Sequence, residues 1–272
     1  MSAPDLLVVV DPAARHIDGE SVRIARDVLS AGPGGVKMCL PRSREEIGRV
    51  VGRRGRRRPV LVGDDTALLC AVEQLHREGT GARAVALGVV PVGPPGTTPL
   101  AEGMGLPLDA VTAARAVLAG ADRVVDLLVD ETGAVLLGGV RIPATPADGP
   151  RRPPVPAAPA SVLGPLGRCA ARVWPGRRGG APPLPRLRVE ADGVVLADPG
   201  SPVAEVSVRT GPGGAGGGLA EVVVRPADAP RVAGAVPPVR ARARAVTVSG
   251  PEFRTRTWTV SPSALRLTLP RS

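Results

Sequence analysis

Residues 59–69, PVLVGDDTALL, combine residue types that suit phosphate chemistry with two that oppose it. An apolar run comes first, a helix-like apolar pattern comes last, and between them stand Gly63, Asp64, Asp65 and Thr66. A glycine turn at the start of a helix presents backbone N–H groups that bind phosphate. Two carboxylates stand where that phosphate would bind. The segment therefore predicts either a nucleotide-binding loop or a helix start that Asp64 or Asp65 caps.

A second glycine turn, PVGPPGTT, follows the apolar run AVALGVV. Gly93 and Gly96 allow close backbone approach, whereas the two prolines between them offer no N–H group. The hydroxyls of Thr97 and Thr98 suit contacts with phosphate, but a rigid surface turn explains the same residues. Asp11, at the end of the apolar run LLVVV, is a third acid beside a predicted strand end.

The elements that must position these residues alternate between strand and helix in the first half of the chain. Short apolar runs predict strands at LLVVV, GGVKMCL, PVLV, AVALGVV and RVVDLLVD. Helical spacing predicts helices at residues 21–31, SREEIGRVVG, residues 66–78 and DAVTAARAVLAG. Ser43 and Glu46 are spaced as a capping box, and Asp109 is placed as an N-cap. This alternation predicts a parallel sheet covered by helices on both faces.

The second half has a different pattern. Residues 143–160 contain seven prolines, which predicts a loop or linker. Beyond it, RLRVEADGVVL, AEVSVRT, LAEVVVRP, RARAVTVSG, TRTWTV and ALRLTLP alternate apolar and polar residues, as half-buried antiparallel strands do. Asp192 and Gly193 suit a hairpin turn. We therefore predict a three-layer α/β domain in residues 1–130 and an antiparallel β-sandwich in residues 131–272, whose last strand can pack back on the first domain.

Charge is unevenly distributed along the chain. Residues 1–150 hold 17 basic and 18 acidic side chains, whereas residues 151–272 hold 18 and 7. The excess positive charge indicates an anionic partner such as a lipid or membrane surface, or simply an arginine-rich solvated surface. The segment GRRGRRR, residues 52–58, has the same two interpretations, and we expect a solvated loop. The chain has one Phe, two Trp and no Tyr, so we expect no nucleic-acid partner.

The cysteines and the apolar runs indicate the compartment. Cys39, Cys70 and Cys169 are widely spaced and resemble neither a metal pair nor a disulfide framework, so we expect reduced thiols and no metal site. No apolar run approaches the ~18 residues of a membrane span, and the first residues do not resemble a signal peptide. We therefore expect a cytoplasmic protein, which can be peripheral to the inner membrane face.

The order of these segments resembles the bacterial type of the diacylglycerol kinase and sphingosine kinase family of lipid kinases. VVVDPAAR is similar to the family's Asn-Pro-x-x-Gly turn, and VLVGDDTALL stands where the family has Gly-Gly-Asp-Gly-Thr. ALGVVPVGPPGTTPLAEGMGLP resembles a Leu-Gly-x-x-Pro-x-Gly-Thr-x-Asn-Asp stretch and the Leu-Gly-x-Pro that follows it. TWTVSPSALRLTLP resembles the closing strands. The resemblance covers nearly the whole chain.

The resemblance implies ATP and Mg²⁺ as cofactors and transfer of phosphate to a lipid alcohol. It also shows losses: Val62 and Asp65 replace two glycines, Pro99 stands near the Asn-Asp pair, and Asp-Gly-Glu is absent, so no catalytic residue is assigned. The candidate cofactor-binding residues are Asp11, Gly63, Asp64, Asp65, Thr66, Gly93, Gly96, Thr97 and Thr98. We expect a kinase-like protein with weak or no catalysis. The alternatives are a non-catalytic lipid- or nucleotide-binding regulatory protein and a basic anion-binding module.

Overall fold

The computed structural model describes residues 4–79, 85–143, 185–210, 217–227, 237–251 and 253–271. The predicted proline-rich segment after residue 143 lies outside the described residues, as does Cys169. Within the described ranges, no helix is both long and apolar enough to cross a membrane.

The first half of the chain forms a four-stranded parallel sheet. Its strands are β1 Leu6–Val10, β2 Val36–Cys39, β3 Arg58–Gly63 and β4 Gly88–Pro91. Their order in the sheet is β2-β1-β3-β4. All five residues of β1 are buried, because a parallel sheet covered on both faces exposes neither side of its central strands.

Helices cover both faces of this sheet. On one face, Leu29 and Val117 pack against β1 and β3, and on the other Ile47 and Leu68 do so. The helices are α1 Pro12–Ile17, α2 Gly19–Ser30, α3 Arg44–Gly52, α4 Asp65–Arg77, α5 Pro99–Gly103 and α6 Ala110–Ala119. The first face carries α1, α2 and α6, and the second carries α3 and α4. The predicted three-layer arrangement is confirmed.

Two predicted helix caps have different outcomes. The carboxylate of Asp109 accepts hydrogen bonds from the N–H groups of Val111 and Thr112, so the predicted N-cap of α6 is confirmed. The capping box predicted for α3 is wrong. Ser43 makes no capping hydrogen bond with its side chain, and the carboxylate of Glu46 accepts from the N–H of Arg42 instead.

The remaining strands form two antiparallel sheets. The strands are β5 Ala121–Asp130, β6 Val135–Leu137, β7 Gly139–Pro143, β8 Arg188–Ala191, β9 Val194–Ala197, β10 Val203–Thr210, β11 Ala220–Pro226, β12 Val239–Ala243, β13 Ala245–Gly250 and β14 Phe253–Leu269. Their orders in the two sheets are β12-β11-β10-β7 and β6-β5-β14-β13-β8-β9. Val206, Val222, Val248 and Trp258 are buried in the core between the sheets. The predicted fold class, an α/β half followed by a β-sandwich, is confirmed.

The structure corrects three strand assignments. RVVDLLVD, which the alternation places with the parallel strands, is β5 and pairs antiparallel with β14 and β6. RARAVTVSG forms two strands, β12 and β13, and the two segments predicted near the end form the single strand β14, with an irregularity between Ser261 and Leu265. The division of the chain at residue 130 stays a prediction.

The last strand also contacts the parallel sheet. The N–H of Leu87, next to β4, donates to the carbonyl of Arg266 at 2.8 Å, and the N–H of Thr268 donates to the carbonyl of Leu87 at 3.0 Å. These hydrogen bonds join β14 to the edge of the first half. They fix the position of the sandwich relative to the strand ends that carry the candidate site.

Candidate functional site

Three acidic residues meet where the neighbouring strands β1 and β3 end. Asp11 follows β1, and Asp64 and Asp65 follow Gly63, the last residue of β3. A Cβ atom on Gly63 would lie 2.7 Å from the Cβ of Asp11, so only glycine allows this approach without a shift. The carboxyl ends of parallel strands are the usual ligand edge of an α/β sheet. The structure therefore places the candidate residues Asp11, Gly63, Asp64 and Asp65 at one edge of the sheet.

Arg44, the first residue of α3, lies between two of these acids. Its Nη2 donates to Asp64 at 2.6 Å and to Asp11 at 3.0 Å, and its Nε lies 3.3 Å from the second oxygen of Asp11. The side chain of Asp11 is 0% exposed and that of Asp64 is 8% exposed. One guanidinium thus bridges two buried carboxylates.

The charge of Arg44 is stabilised by this arrangement. Burial works against the charge, but the hydrogen bonds and negative charges of Asp11 and Asp64 prevail and raise the pKa of the guanidinium. Sequence reasoning missed Arg44 because α3 reads as an ordinary amphipathic helix. The available signal was position: α3 starts after β2, so its first residue lies at the same sheet edge as Asp11 and Asp64.

The same carboxylates also cap helices. Asp11 accepts from the N–H of Ala13 at 3.1 Å in α1, and Asp64 accepts from the N–H of Ala67 at 3.1 Å in α4. The interpretation of Asp64 as a helix cap is confirmed. One of the N–H groups that a phosphate would contact at the start of α4, that of Ala67, therefore already has an anionic partner.

Asp65 performs a similar role for a different helix. Its two carboxylate oxygens accept from the N–H of Leu100 at 2.6 Å and of Ala101 at 3.1 Å, both in α5. Burial raises the pKa of Asp65, and the two N–H groups offset part of that effect. Asp65 thus links the loop after β3 to the turn before α5, a contact between residues 35 positions apart.

The second predicted turn lies against the first. The N–H of Asp65 donates to the carbonyl of Thr97 at 3.0 Å, and a Cβ on Gly93 would lie 3.0 Å from the Cβ of Asp64. The Thr97 hydroxyl donates to the carbonyl of Pro94 at 2.8 Å, and Gly96 has a φ of 84°. Thr98 precedes α5, and its carbonyl accepts from the N–H of Glu102. The two candidate loops form one surface.

Thr66 and the arginine-rich segment are arranged differently. Thr66 is exposed on α4, outside the contacts that join the acids. In the segment 52–58, Arg54 is buried and bonds to the carbonyl of Val51 and to Glu78, and Arg58 pairs with Asp122 at 2.9 Å. The expectation of a fully solvated loop is therefore wrong for these two arginines. The other three, Arg53, Arg56 and Arg57, are exposed.

The site is consequently a set of carboxylates that already have hydrogen-bond donors within the protein. Asp11 and Asp64 are paired with Arg44, and Asp65 is bound to two backbone N–H groups. In the part of the chain that the structure describes, no group of three His, Cys, Asp or Glu side chains is arranged to hold a metal ion. As arranged, Asp11 and Asp64 fit a guanidinium rather than Mg²⁺, which binds to free carboxylate oxygens.

The raised pKa of Asp65 predicts that the difference in stability between the wild type and Asp65→Asn depends on pH. A carboxyl whose folded pKa is above its unfolded value of 3.8 binds a proton more readily in the native state. The free energy of unfolding of the wild type, relative to the variant, should therefore rise as the pH falls from neutral to about 4. Urea denaturation at both pH values measures this.

The control for this experiment is Thr66→Ala, an adjacent exposed position without a titrating group. Its stability relative to the wild type should be the same at the two pH values. The raised pKa would be contradicted if the free energy of unfolding of the wild type, relative to that of Asp65→Asn, stayed constant or fell on acidification.

Comparison with known proteins gives a consistent result at the level of fold. No protein-family model matches the chain, and no curated protein matches it. Among solved structures, two provisionally assigned diacylglycerol kinases from Bacillus anthracis strain Sterne are each 12% identical to the chain, with TM-scores of 0.71 and 0.68. The first match covers 99% of this chain and 98% of the other, and the second covers 98% and 97%.

A third structure, described as a diacylglycerol kinase from the same strain, is 13% identical and has a TM-score of 0.70. That match covers 98% of this chain and 97% of the other. The similarity extends over both halves of the molecule, and the likeness read from the sequence motifs is thereby confirmed for the fold. The chain therefore has the fold of these diacylglycerol kinase structures.

Proposed function

We propose that this chain is a diacylglycerol kinase-like protein that binds lipid and transfers phosphate weakly or not at all. The observation that carries the proposal is the bridge from Arg44 to Asp11 and Asp64 at the ends of β1 and β3. This edge is where a protein of this fold would have to receive a nucleotide phosphate. The two carboxylates occupy the guanidinium of Arg44, so its positive charge is not available to such a phosphate.

The geometry supports the proposal in two further ways. N–H groups near the starts of α1, α4 and α5 donate to the carboxylates of Asp11, Asp64 and Asp65. A phosphate would have to displace these carboxylates and then remain beside them, and like charges at such distances repel strongly in a partly buried site. ATP and Mg²⁺ are implied by the likeness to kinases, and this arrangement opposes both.

An active lipid kinase is the second candidate function. It is favoured by the backbone of the two loops, since Gly63, Gly93 and Gly96 still allow the close approach that phosphate binding needs. In that case, Arg44 would have to leave Asp11 and Asp64 when the nucleotide binds. The proposed partner in either case is a lipid or an anionic membrane surface, in keeping with the excess of arginine after residue 150.

Calorimetric titration with ATP, with and without Mg²⁺, tests the proposal directly. We expect no binding heat up to about 1 mM ATP, a concentration that would detect even weak sites. Incubation with ATP and diacylglycerol in mixed micelles should yield no phosphorylated lipid. Binding of diacylglycerol-containing vesicles by the purified protein, measured by co-sedimentation, should be positive without nucleotide.

The control variant is Gly63→Trp, whose side chain would collide with Asp11 and block the loop. ATP binding in the micromolar range by the wild type, lost in Gly63→Trp, together with lipid phosphorylation, would establish the active kinase instead. Failure to sediment with any lipid vesicle would remove the lipid-binding part of the proposal.

A further inference from the structure

A cavity of about 450 Å³ lies beside α5, away from the bridge made by Arg44. It is bounded by α5, by β5 and the end of β14, and by the neighbouring strands β7 and β10. Its apolar lining comes from Leu100, Met104, Val125, Leu137, Leu267 and Leu269. A volume toward the lower end of the ~300–1,000 Å³ range of small-molecule sites suits one apolar chain better than two.

Two arginines stand at the strand side of this cavity. Arg141 on β7 and Arg209 on β10 both line it. Because Arg209 pairs with Gly139, two residues before Arg141, the two side chains lie on the same face of the sheet. That face is the outer one, since the alternate residues Val206 and Val208 are buried in the sandwich core. Arg141 is bound to Glu205. Arg209 is exposed and makes no ion pair with any residue that the structure describes. Arg209 is therefore available to an anion.

Two glycines keep the space beside Arg209 open. Gly138 and Gly139 line the cavity with φ angles of 81° and 139°. A Cβ on Gly139 would lie 2.3 Å from the carbonyl oxygen of Val208 and 3.1 Å from the Cγ of Arg209. A larger residue at 139 would therefore displace the strand backbone and the arginine side chain. The apolar lining and the arginine consequently share one continuous opening.

We infer that this cavity binds a single-chain anionic amphiphile, a fatty-acid carboxylate, with its chain among the apolar residues and its carboxylate on Arg209. This inference rests on the proposed lipid binding and assigns its location and ligand class. The charge of Arg209 favours a carboxylate over a neutral alcohol, because an arginine–carboxylate hydrogen bond is charge-assisted. The volume favours one chain over the two chains of a diacylglycerol.

Titration of the full chain with dodecanoate, followed by calorimetry, tests the inference. Gly103→Phe should lower the affinity about tenfold or more, because Gly103 lines the cavity and its Cβ direction is open, so the ring fits without backbone strain and obstructs the ligand. Gly19→Phe is the matched control, at an exposed helix end where a Cβ also meets no atom within 4 Å. It should bind dodecanoate like the wild type.

The arginine is tested separately. Arg209→Gln should weaken dodecanoate binding about three- to fivefold, the range of a solvent-exposed ion pair, and should leave dodecanol binding unchanged. Arg242→Gln removes the same charge from an exposed position on β12 and should have no effect on either ligand.

The outcomes distinguish this inference from the proposed function. Dodecanoate binding that is equal in the wild type and Gly103→Phe would overturn the inference while leaving lipid binding intact, since the ligand would then bind elsewhere. If Arg209→Gln lost affinity equally for dodecanoate and for dodecanol, the contact between Arg209 and the carboxylate would be overturned. Absence of binding to dodecanoate, with vesicle binding retained, would overturn the inference alone. Absence of both would overturn the proposed function as well.

Discussion

Replacing Arg44 by alanine is expected to destabilise the protein by about 3–5 kcal/mol, the usual cost of removing one partner of a buried ion pair. The guanidinium is the shared partner of Asp11, which is 0% exposed, and Asp64, which is 8% exposed. Its removal leaves two neighbouring buried carboxylates without a counter-charge. Urea denaturation at neutral pH, followed by tryptophan fluorescence, measures the loss.

Two further variants make this result specific. Arg49→Ala removes an exposed arginine from the last turn of the same helix and should cost less than about 1 kcal/mol. Arg44→Lys keeps a positive charge but not the two-nitrogen geometry of the guanidinium. Its loss of stability should fall between those of Arg44→Ala and Arg49→Ala. If Arg44→Ala cost no more than Arg49→Ala, the bridge would not stabilise Asp11 and Asp64, and the main support for weak or absent phosphate transfer would be lost.

Replacing Asp126 by alanine is expected to cost about 2–4 kcal/mol, because two backbone N–H groups lose a charged acceptor in a buried position. Asp126 on β5 is 2% exposed. Its carboxylate accepts from the N–H of Ser263 at 2.7 Å and from the N–H of Gly218 at 3.2 Å. Ser263 has a φ of 52° at the irregularity of β14, so the carboxylate holds a strained turn in place.

Near-ultraviolet circular dichroism of Trp258, which lies on β14, together with urea denaturation, checks this expectation. Asp122→Ala is the matched control: Asp122 is on the same strand, is 41% exposed, and should cost about 1 kcal/mol or less. A loss in Asp126→Ala no larger than that in Asp122→Ala would mean that the turn at Ser263 does not depend on the carboxylate.

Local patterns in the sequence determined the type of most elements. The apolar runs before Asp11 and Gly63 are typical of strands buried on both faces, and they are β1 and β3. Asp192 and Gly193 could be read as a hairpin turn because both positions suit positive φ, and their φ angles are 48° and 82°. Such predictions succeed because side-chain periodicity and turn chemistry act over a few residues.

Tertiary structure decided which elements and side chains became neighbours. The sequence of β5 resembles those of the parallel strands, but β5 pairs with β14, which is distant in the chain, and this pairing makes it part of the sandwich. Arg54 reads like the exposed arginines around it, but Glu78 lies against it and it is buried. Local periodicity contains no information about such distant partners.

The candidate site shows the same division. The sequence by itself placed Asp11, Asp64 and Asp65 at strand ends and predicted that Asp64 or Asp65 caps α4, which Asp64 does. Only the tertiary structure showed that Arg44 lies beside Asp11 and Asp64, through the strand order β2-β1-β3, and that Asp65 binds to N–H groups of α5. The physical reason is that a carboxylate's charge is compensated by whichever donor the fold places within hydrogen-bond distance, and that donor belongs to another element.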